Sequence, residues 1–277
     1  RQAVRALGRF ERLEYKIAVE TLIQSNDASI RAEAINALGQ IGTPVDFAEL
    51  LAEEEDAGVR AVIYRTMGRL PGGDETLLVA GLTEDDPDIR AGAAAGIEAQ
   101  FRLHRSGEVP SAETIEVLRA AVQETDDSTV RQLALLALNA AGDQDQATIV
   151  EALSDEDPRV RRLAVIASGK WRDDPSHIVR YEALRLDPTC DRARHALADR
   201  SDHVSLLAVD QLGKLGCPSA IITSVAYRGA TWRHRSRALL ALANVDAVGA
   251  REQLYRFMAD GRWQVRAYAA RAAHVLG

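Results

Sequence analysis

Aromatic residues are scarce: Phe, Trp and Tyr together make up 5% of the 277 residues. Much of the apolar content is instead Ala and Leu, as in 91–95, 133–138 and 238–243, which favours closely packed helices over strands. Cysteine is nearly absent. Cys190 and Cys217 are too few for a disulfide scaffold and stand in no zinc-binding spacing with histidine, so a reducing cytoplasm is the expected setting. No run approaches the roughly 20 apolar residues of a membrane helix, and none resembles a signal peptide, so no membrane association is expected. The chain starts at Arg1 rather than Met, so a removed leader or a further domain upstream is to be expected.

The usual signatures of chemistry are missing too. There is no Gly-rich phosphate loop, no Gly-x-Ser-x-Gly elbow and no Cys/His nucleophile arrangement. The histidines (His104, His177, His195, His203, His234 and His274) are scattered without metal-ligand spacing. No catalytic residue, metal or cofactor is therefore expected. Disorder is excluded as well, because 47% of residues are apolar and 27% charged.

What is present is repetition. An Asp, two residues of any kind, Val or Ile, then Arg recurs at Asp27–Arg31, Asp56–Arg60, Asp86–Arg90, Asp127–Arg131 and Asp157–Arg161, with the arginines 29, 30, 41 and 30 residues apart. A period of that size marks one small unit copied and stacked. After each Asp, apolar residues return at helical spacing, as in Ile30, Ala34, Ala37, Leu38 and Ile41. Asp suits the N-cap, where its carboxylate accepts from free backbone N–H groups. Pro87 and Pro158 follow it in two copies, at a position proline tolerates. Gly39 and Gly142 are expected to end their helices. Between capped helices lies room for one more helix, near 44–53, 75–83, 112–124 and 146–153, so each unit reads as a helical hairpin. One hairpin cannot bury enough surface to offset its chain entropy; stacked neighbours supply the missing face.

The Asp-x-x-Val-Arg opening, the Ala-rich helix and endings such as Ala37-Leu38-Gly39 resemble HEAT repeats, especially the short bacterial and archaeal kind grouped with phycobilisome-lyase HEAT-like repeats. The resemblance covers nearly the whole chain. It implies an all-α fold, a right-handed α-solenoid, here a single array over 1–277 of about eight or nine hairpins. It also implies that the second, Arg-bearing helices line the concave face and meet a protein partner. The family includes scaffolds, adaptors and a few enzymes, so the resemblance carries fold rather than reaction. Irregularity is expected at 102–112, where Arg102 to Pro110 lengthens one interval, and at 174–202, where 183–188 looks like a tetratricopeptide turn. The 1–8 segment reads as the tail of a helix.

Charge is uneven. From Arg228 to Gly277 there are nine Arg, no Lys and three acids, a balance of +6, while the other 227 residues carry 25 basic and 38 acidic side chains, a balance of −13. The pattern also decays there. Val204-Ser205 lacks the Arg; Trp232-Arg233 stands for Val-Arg, with Gly229 in the acid's place; and Val265-Arg266 is preceded by Arg262. Arg228, Trp232, Arg233, His234, Arg235, Arg237, Arg262, Trp263 and Arg266 are therefore the candidate ligand-binding residues. Arginines at helix N-termini attract anions, and Trp can stack on a base, a ring or a guanidinium. Its alternative role is to cover a terminal repeat. The five-fold Asp and Arg read as caps and stacking contacts, and the acidic runs 53–56 and 84–86 as capping and solubility. The expected function is a non-catalytic protein-binding scaffold. Binding of nucleic acid or another polyanion by the C-terminal patch, including by a HEAT-like enzyme acting on DNA bases, is the alternative, and lyase action on a tetrapyrrole is a third.

Overall fold

A computed structural model describes residues 1–103, 110–123, 127–143, 145–170 and 173–277. Among them are eighteen α-helices, two short 3-10 turns (Leu13–Tyr15 and Thr21–Gln24) and no strands. Contacts divide the chain into two compact units, Arg1–Ala167 and Ser168–Gly277.

The first unit opens with α1 (Gln2–Arg9) and α2 (Lys16–Glu20). It continues as α3 (Ala28–Ile41), α4 (Phe47–Glu53), α5 (Ala57–Met67), α6 (Glu75–Leu82), α7 (Pro87–Leu103), α8 (Ala112–Gln123), α9 (Ser128–Ala141), α10 (Gln146–Ala152) and α11 (Pro158–Ser168), which ends at the boundary. The Arg-bearing helices α3, α5, α7 and α9 pack each on the next, while α4, α6, α8 and α10 alternate with them. Each repeated Asp caps its helix as its type predicts. Asp27 accepts from Ser29 N–H at 2.8 Å, Asp56 from Val59 at 2.9 Å, Asp86 from Asp88 at 2.8 Å, Asp127 from Thr129 at 2.7 Å and Asp157 from Arg159 at 2.7 Å. The core runs between the helix rows through Ile35, Ile63, Met67, Leu78, Ile97 and Leu118, each contributing about 1.5–3 kcal/mol by leaving water.

Glycine has two separate uses here. Gly142 ends α9 in the left-handed conformation, φ 80°, as expected. Gly39 does not end α3. The helix runs on to Gly42 at φ 76°, while Gly39 lies inside it, where a Cβ would come 2.4 Å from the Thr66 methyl of α5. The end of α5 meets α7 backbone to backbone: a Cβ on Gly68 would lie 1.8 Å from the Gly96 carbonyl oxygen, so only glycine allows this contact.

The second unit contains α12 (His177–Leu186), α13 (Cys190–Ala196), α14 (Asp202–Lys214), α15 (Ser219–Arg228), α16 (Trp232–Val245), α17 (Ala247–Met258) and α18 (Trp263–Leu276). Here α12, α14, α16 and α18 form the consecutive row, over a core of Leu184, Leu212, Ile222 and Leu239. The irregular stretch 174–202 resolves into another copy, with Ser176 in the cap position and Arg180 in the arginine position, followed by the short α13. The two cysteines, too few for a scaffold, nevertheless pair: Cys190 at the start of α13 is bonded to Cys217 after α14. Their separation of 27 residues is about one repeat, and folding a hairpin brings such positions together. The insertion expected at 102–110, and His104 within it, lies largely outside the described residues.

Candidate functional site

The recurrent arginines share one geometry. Arg31, Arg60, Arg90, Arg161 and Arg180 reach back to the turn before their own helix and donate to a main-chain carbonyl six residues earlier. Arg31 donates to Ser25 O at 2.9 Å, Arg90 to Glu84 O at 2.8 Å, Arg161 to Asp155 O at 2.7 Å and Arg180 to Asp174 O at 2.7 Å. Where a rung is complete, the rest of the guanidinium holds a carboxylate in the following turn. Arg31 takes Glu54 through two bonds of 2.7 Å, Arg60 takes Glu84, Arg131 takes Asp155 at 2.7 Å and Arg180 takes Asp199 at 2.6 and 2.8 Å. The planar fork of Arg suits this double duty in a way Lys would not.

The acidic runs at 53–56 and 84–86 therefore supply partners for Arg as well as caps. Two rungs are buried, Arg131–Asp155 with side chains 8% and 9% exposed and Arg180–Asp199 with both at 9%, so their loss costs more than that of surface pairs. The Arg31 hydrogen bonds hold the Glu54 carboxyl below its ordinary range despite its burial.

Among the C-terminal candidates the register differs from the one the sequence suggested. Thr231 caps α16 through its hydroxyl, and Arg235, rather than Arg233, makes the backward bond, to Gly229 O at 3.0 Å. Arg266 repeats it with Asp260 O at 2.8 Å and Gly261 O at 3.0 Å. The tryptophan at the first turn had been aligned with the valine of the motif, which displaced the alignment by two residues.

The nine candidates do not converge. Arg228 is exposed at the end of α15, Arg233 lies over the Trp232 ring at 5.2 Å, and Arg262 stands 3.9 Å from Asp260. Arg237 points to Asp210, with an ion pair of 2.6 Å. Burial raises the Asp210 carboxyl, while Arg237 and Lys214 oppose that rise. Trp232 and Trp263 both open their helices, but Trp232 packs against the core whereas Trp263 is 67% exposed.

His234 is an interior residue. Its Nε2 lies 2.9 Å from Ser205 Oγ and its Nδ1 2.8 Å from Thr231 Oγ1. Ser205 occupies the arginine position of α14, so a neutral Ser–His–Thr link stands where a charged rung would be. Burial lowers the His234 pKa; Asp202 acts upward and Arg237 downward.

Sequence reasoning missed two features. Arg180 went unassigned because its cap is Ser176 instead of Asp; the spacing of Val179-Arg180 was the available signal. Arg65 on α5 and Arg69 just after it, with Arg102 on α7, were also overlooked, since they fall outside the repeated motif. Arg69 donates to Asn36 Oδ1 of α3 at 2.9 Å, and Arg102 pairs with Glu98 at 2.7 Å. The Arg69 pKa is lowered by burial first and then by Arg65 and Arg102, so Arg69 lies within reach of both other charges. No cluster of three or more His, Cys, Asp or Glu able to hold a metal occurs among the described residues, and no helix searched there is long and apolar enough to cross a membrane.

Stacked two-helix units, most in the first unit capped by an acid and several tied to the next by an arginine, define a helical-repeat protein. The chain belongs to the HEAT-repeat family: the model for HEAT repeats matches residues 1–68 and 75–169. Comparison with the curated proteins found no match. Among solved structures, the complex of CpcE and CpcF of phycocyanin lyase from Nostoc sp. PCC7120 is similar at 21% identity and TM-score 0.44, covering 94% of this chain and 93% of that one. Human deoxyhypusine hydroxylase in complex with glycerol is similar at 17% identity and TM-score 0.36, covering 99% and 96%. An engineered protein is similar at 18% identity and TM-score 0.39, covering 99% and 84%. At such distances, likeness says nothing about chemistry.

Proposed function

We propose that the chain is a non-catalytic scaffold that binds a protein partner along the row of second helices, and that the partner presents acidic side chains to the first unit. The observation that carries this reading is the set Arg65, Arg69 and Arg102. Unlike the repeated arginines, which close turns and rungs, Arg65 has neither duty among the described residues, and Arg69 feels the positive charges of both Arg65 and Arg102. The half-buried row Asn36, Arg65, Ala95 and Leu136, each five residues after a repeated Arg, sets this positive charge beside apolar surface. That combination suits a protein surface with acidic residues around an apolar contact.

The cytoplasmic setting suggested by the low cysteine count is not part of this proposal, because a formed disulfide suits an oxidising compartment. The test is affinity capture from the native host followed by Arg65→Glu and Arg69→Glu. Binding should fall at least tenfold while the unfolding midpoint stays within error. A captured partner indifferent to both reversals, or a turnover activity with no partner, would refute the reading.

A further inference from the structure

Complete rungs show what the outer edge of a repeated arginine binds: a carboxylate two residues before the next cap. Between α16 and α18 both halves of a rung are present but apart. Arg235 keeps the backward bond to Gly229 O, and Asp260 keeps the acid's place, its Oδ1 accepting the Arg262 N–H at 2.8 Å, as Asp199 accepts that of Ser201 at 2.8 Å. No ion pair joins Arg235 to Asp260 among the described residues. Both line a cavity of about 200 Å³ instead, together with Tyr227, Trp232, Arg256 and Ser236.

Two further observations mark this cavity. Ser236 is fully buried, and its hydroxyl has no hydrogen-bond partner, an arrangement that costs free energy unless something fills it. Arg256 is held flat, 4.5 Å from the Tyr227 ring centre and 5.1 Å from that of Phe257. It donates to Ala226 O at 2.7 Å, and among the described residues no acid pairs with it.

We propose that this cavity binds a small organic monocarboxylate with a flat apolar body. The carboxylate completes the rung at Arg235, as Glu54, Glu84, Asp155 and Asp199 do at theirs, with Arg256 as a second cation and the Ser236 hydroxyl as a donor. Trp232 and Tyr227 supply flat walls for the body of the ligand. Asp260 sets the charge: a dianion would carry its second negative charge toward that carboxylate. A cavity of about 200 Å³ admits an acid of one ring or two fused rings and excludes a nucleotide. The inference does not depend on the protein-binding reading, since it uses none of the arginines of the first unit.

The experiment is calorimetric titration of the full chain with benzoate, phenylacetate and indole-3-acetate, against phosphate and succinate. At least one aromatic monocarboxylate is expected to bind saturably, and the two dianions at least tenfold more weakly. Ser236→Ala, which removes only the orphan hydroxyl, should weaken binding about tenfold, one hydrogen bond to a charged group. Arg235→Gln should abolish it, and Asp260→Asn should narrow the gap between phosphate and benzoate. Arg235 also ties its own turn, so Ser236→Ala is the deciding variant: unchanged affinity there overturns the proposal. Absence of saturable binding by all three aromatic acids, or equal binding of phosphate by the native chain, overturns it too.

Discussion

Arg180→Ala removes one half of a buried rung and should destabilise the second unit by about 3–5 kcal/mol, the range for leaving one buried charge without its partner. Arg180 and Asp199 are each 9% exposed. The arginine places two donors on the Asp199 carboxylate and a third on the Asp174 and Pro175 carbonyls, at 2.7 and 2.9 Å. Without it Asp199 retains the Ser201 N–H, and two carbonyls of the turn lose a donor. Burial pushes the Asp199 carboxyl up, yet the hydrogen bonds from Arg180 and Ser201 outweigh that and hold it below its ordinary value; removing Arg180 reverses the balance. Urea denaturation followed by helical circular dichroism measures the loss. Arg12→Ala is the control, because Arg12 and Glu14 are both more than half exposed and such pairs contribute about 0–1 kcal/mol. A double-mutant cycle with Asp199→Ala should give a coupling above about 1 kcal/mol. If Arg180→Ala costs no more than Arg12→Ala, the rungs are decoration and the structural argument fails.

Reducing the Cys190–Cys217 bond, or changing Cys190→Ser, should lower stability by about 3–4 kcal/mol from loop closure alone, read as a shift of the denaturation midpoint with and without reductant. Gly68→Ala should force α5 from α7 and cost about 1–3 kcal/mol or more, whereas Gly142→Ala at φ 80° should cost only about 1 kcal/mol, the strain of one left-handed residue. Acid should weaken the fold in two stages. His234 has a folded pKa below its ordinary 6.5, so its contribution is full above that value and fades as pH falls through it toward the folded pKa. Asp157 is drawn from 3.8 down to about 2, chiefly by Arg159; its contribution persists above about 4 and is lost toward pH 2. His234→Gln should flatten the first stage and Asp157→Asn the second, and stability curves unchanged by either variant would contradict the assignments.

Much of the fold was legible because one requirement recurs. The repeated units need an acceptor for the free N–H groups at the helix start and an apolar face, so Asp27, Asp56 and their copies announce caps, and Ile30 or Val130 announce the buried side. Legibility fails where chemistry is conserved without residue identity. Ser176 stands in the cap position without a side-chain cap bond and Thr231 caps through its hydroxyl, and a search for Asp passes over the first and misplaces the register at the second. Gly39 and Gly42 stand three residues apart with opposite roles, and only the nearness of Thr66 tells them apart. The C-terminal candidates were found by their charge, but charge does not say which arginines are already committed to turns. The Arg65 cluster and the Cys190–Cys217 bond depend on contacts between repeats, to which a pattern read along one repeat is blind.

Among the described residues each rung connects a turn only to the turn that follows, and no contact of this kind there closes over many repeats at once. The molecule's cooperativity is then a chain of local agreements. Where Ser205 replaces the arginine, or where Arg235 and Asp260 stand apart, adjoining hairpins keep their packing and lose the charged tie. Amide exchange should register those places as steps in protection. They are also the places where a copied unit is released from the demands of its neighbours, and so is free to acquire a use of its own.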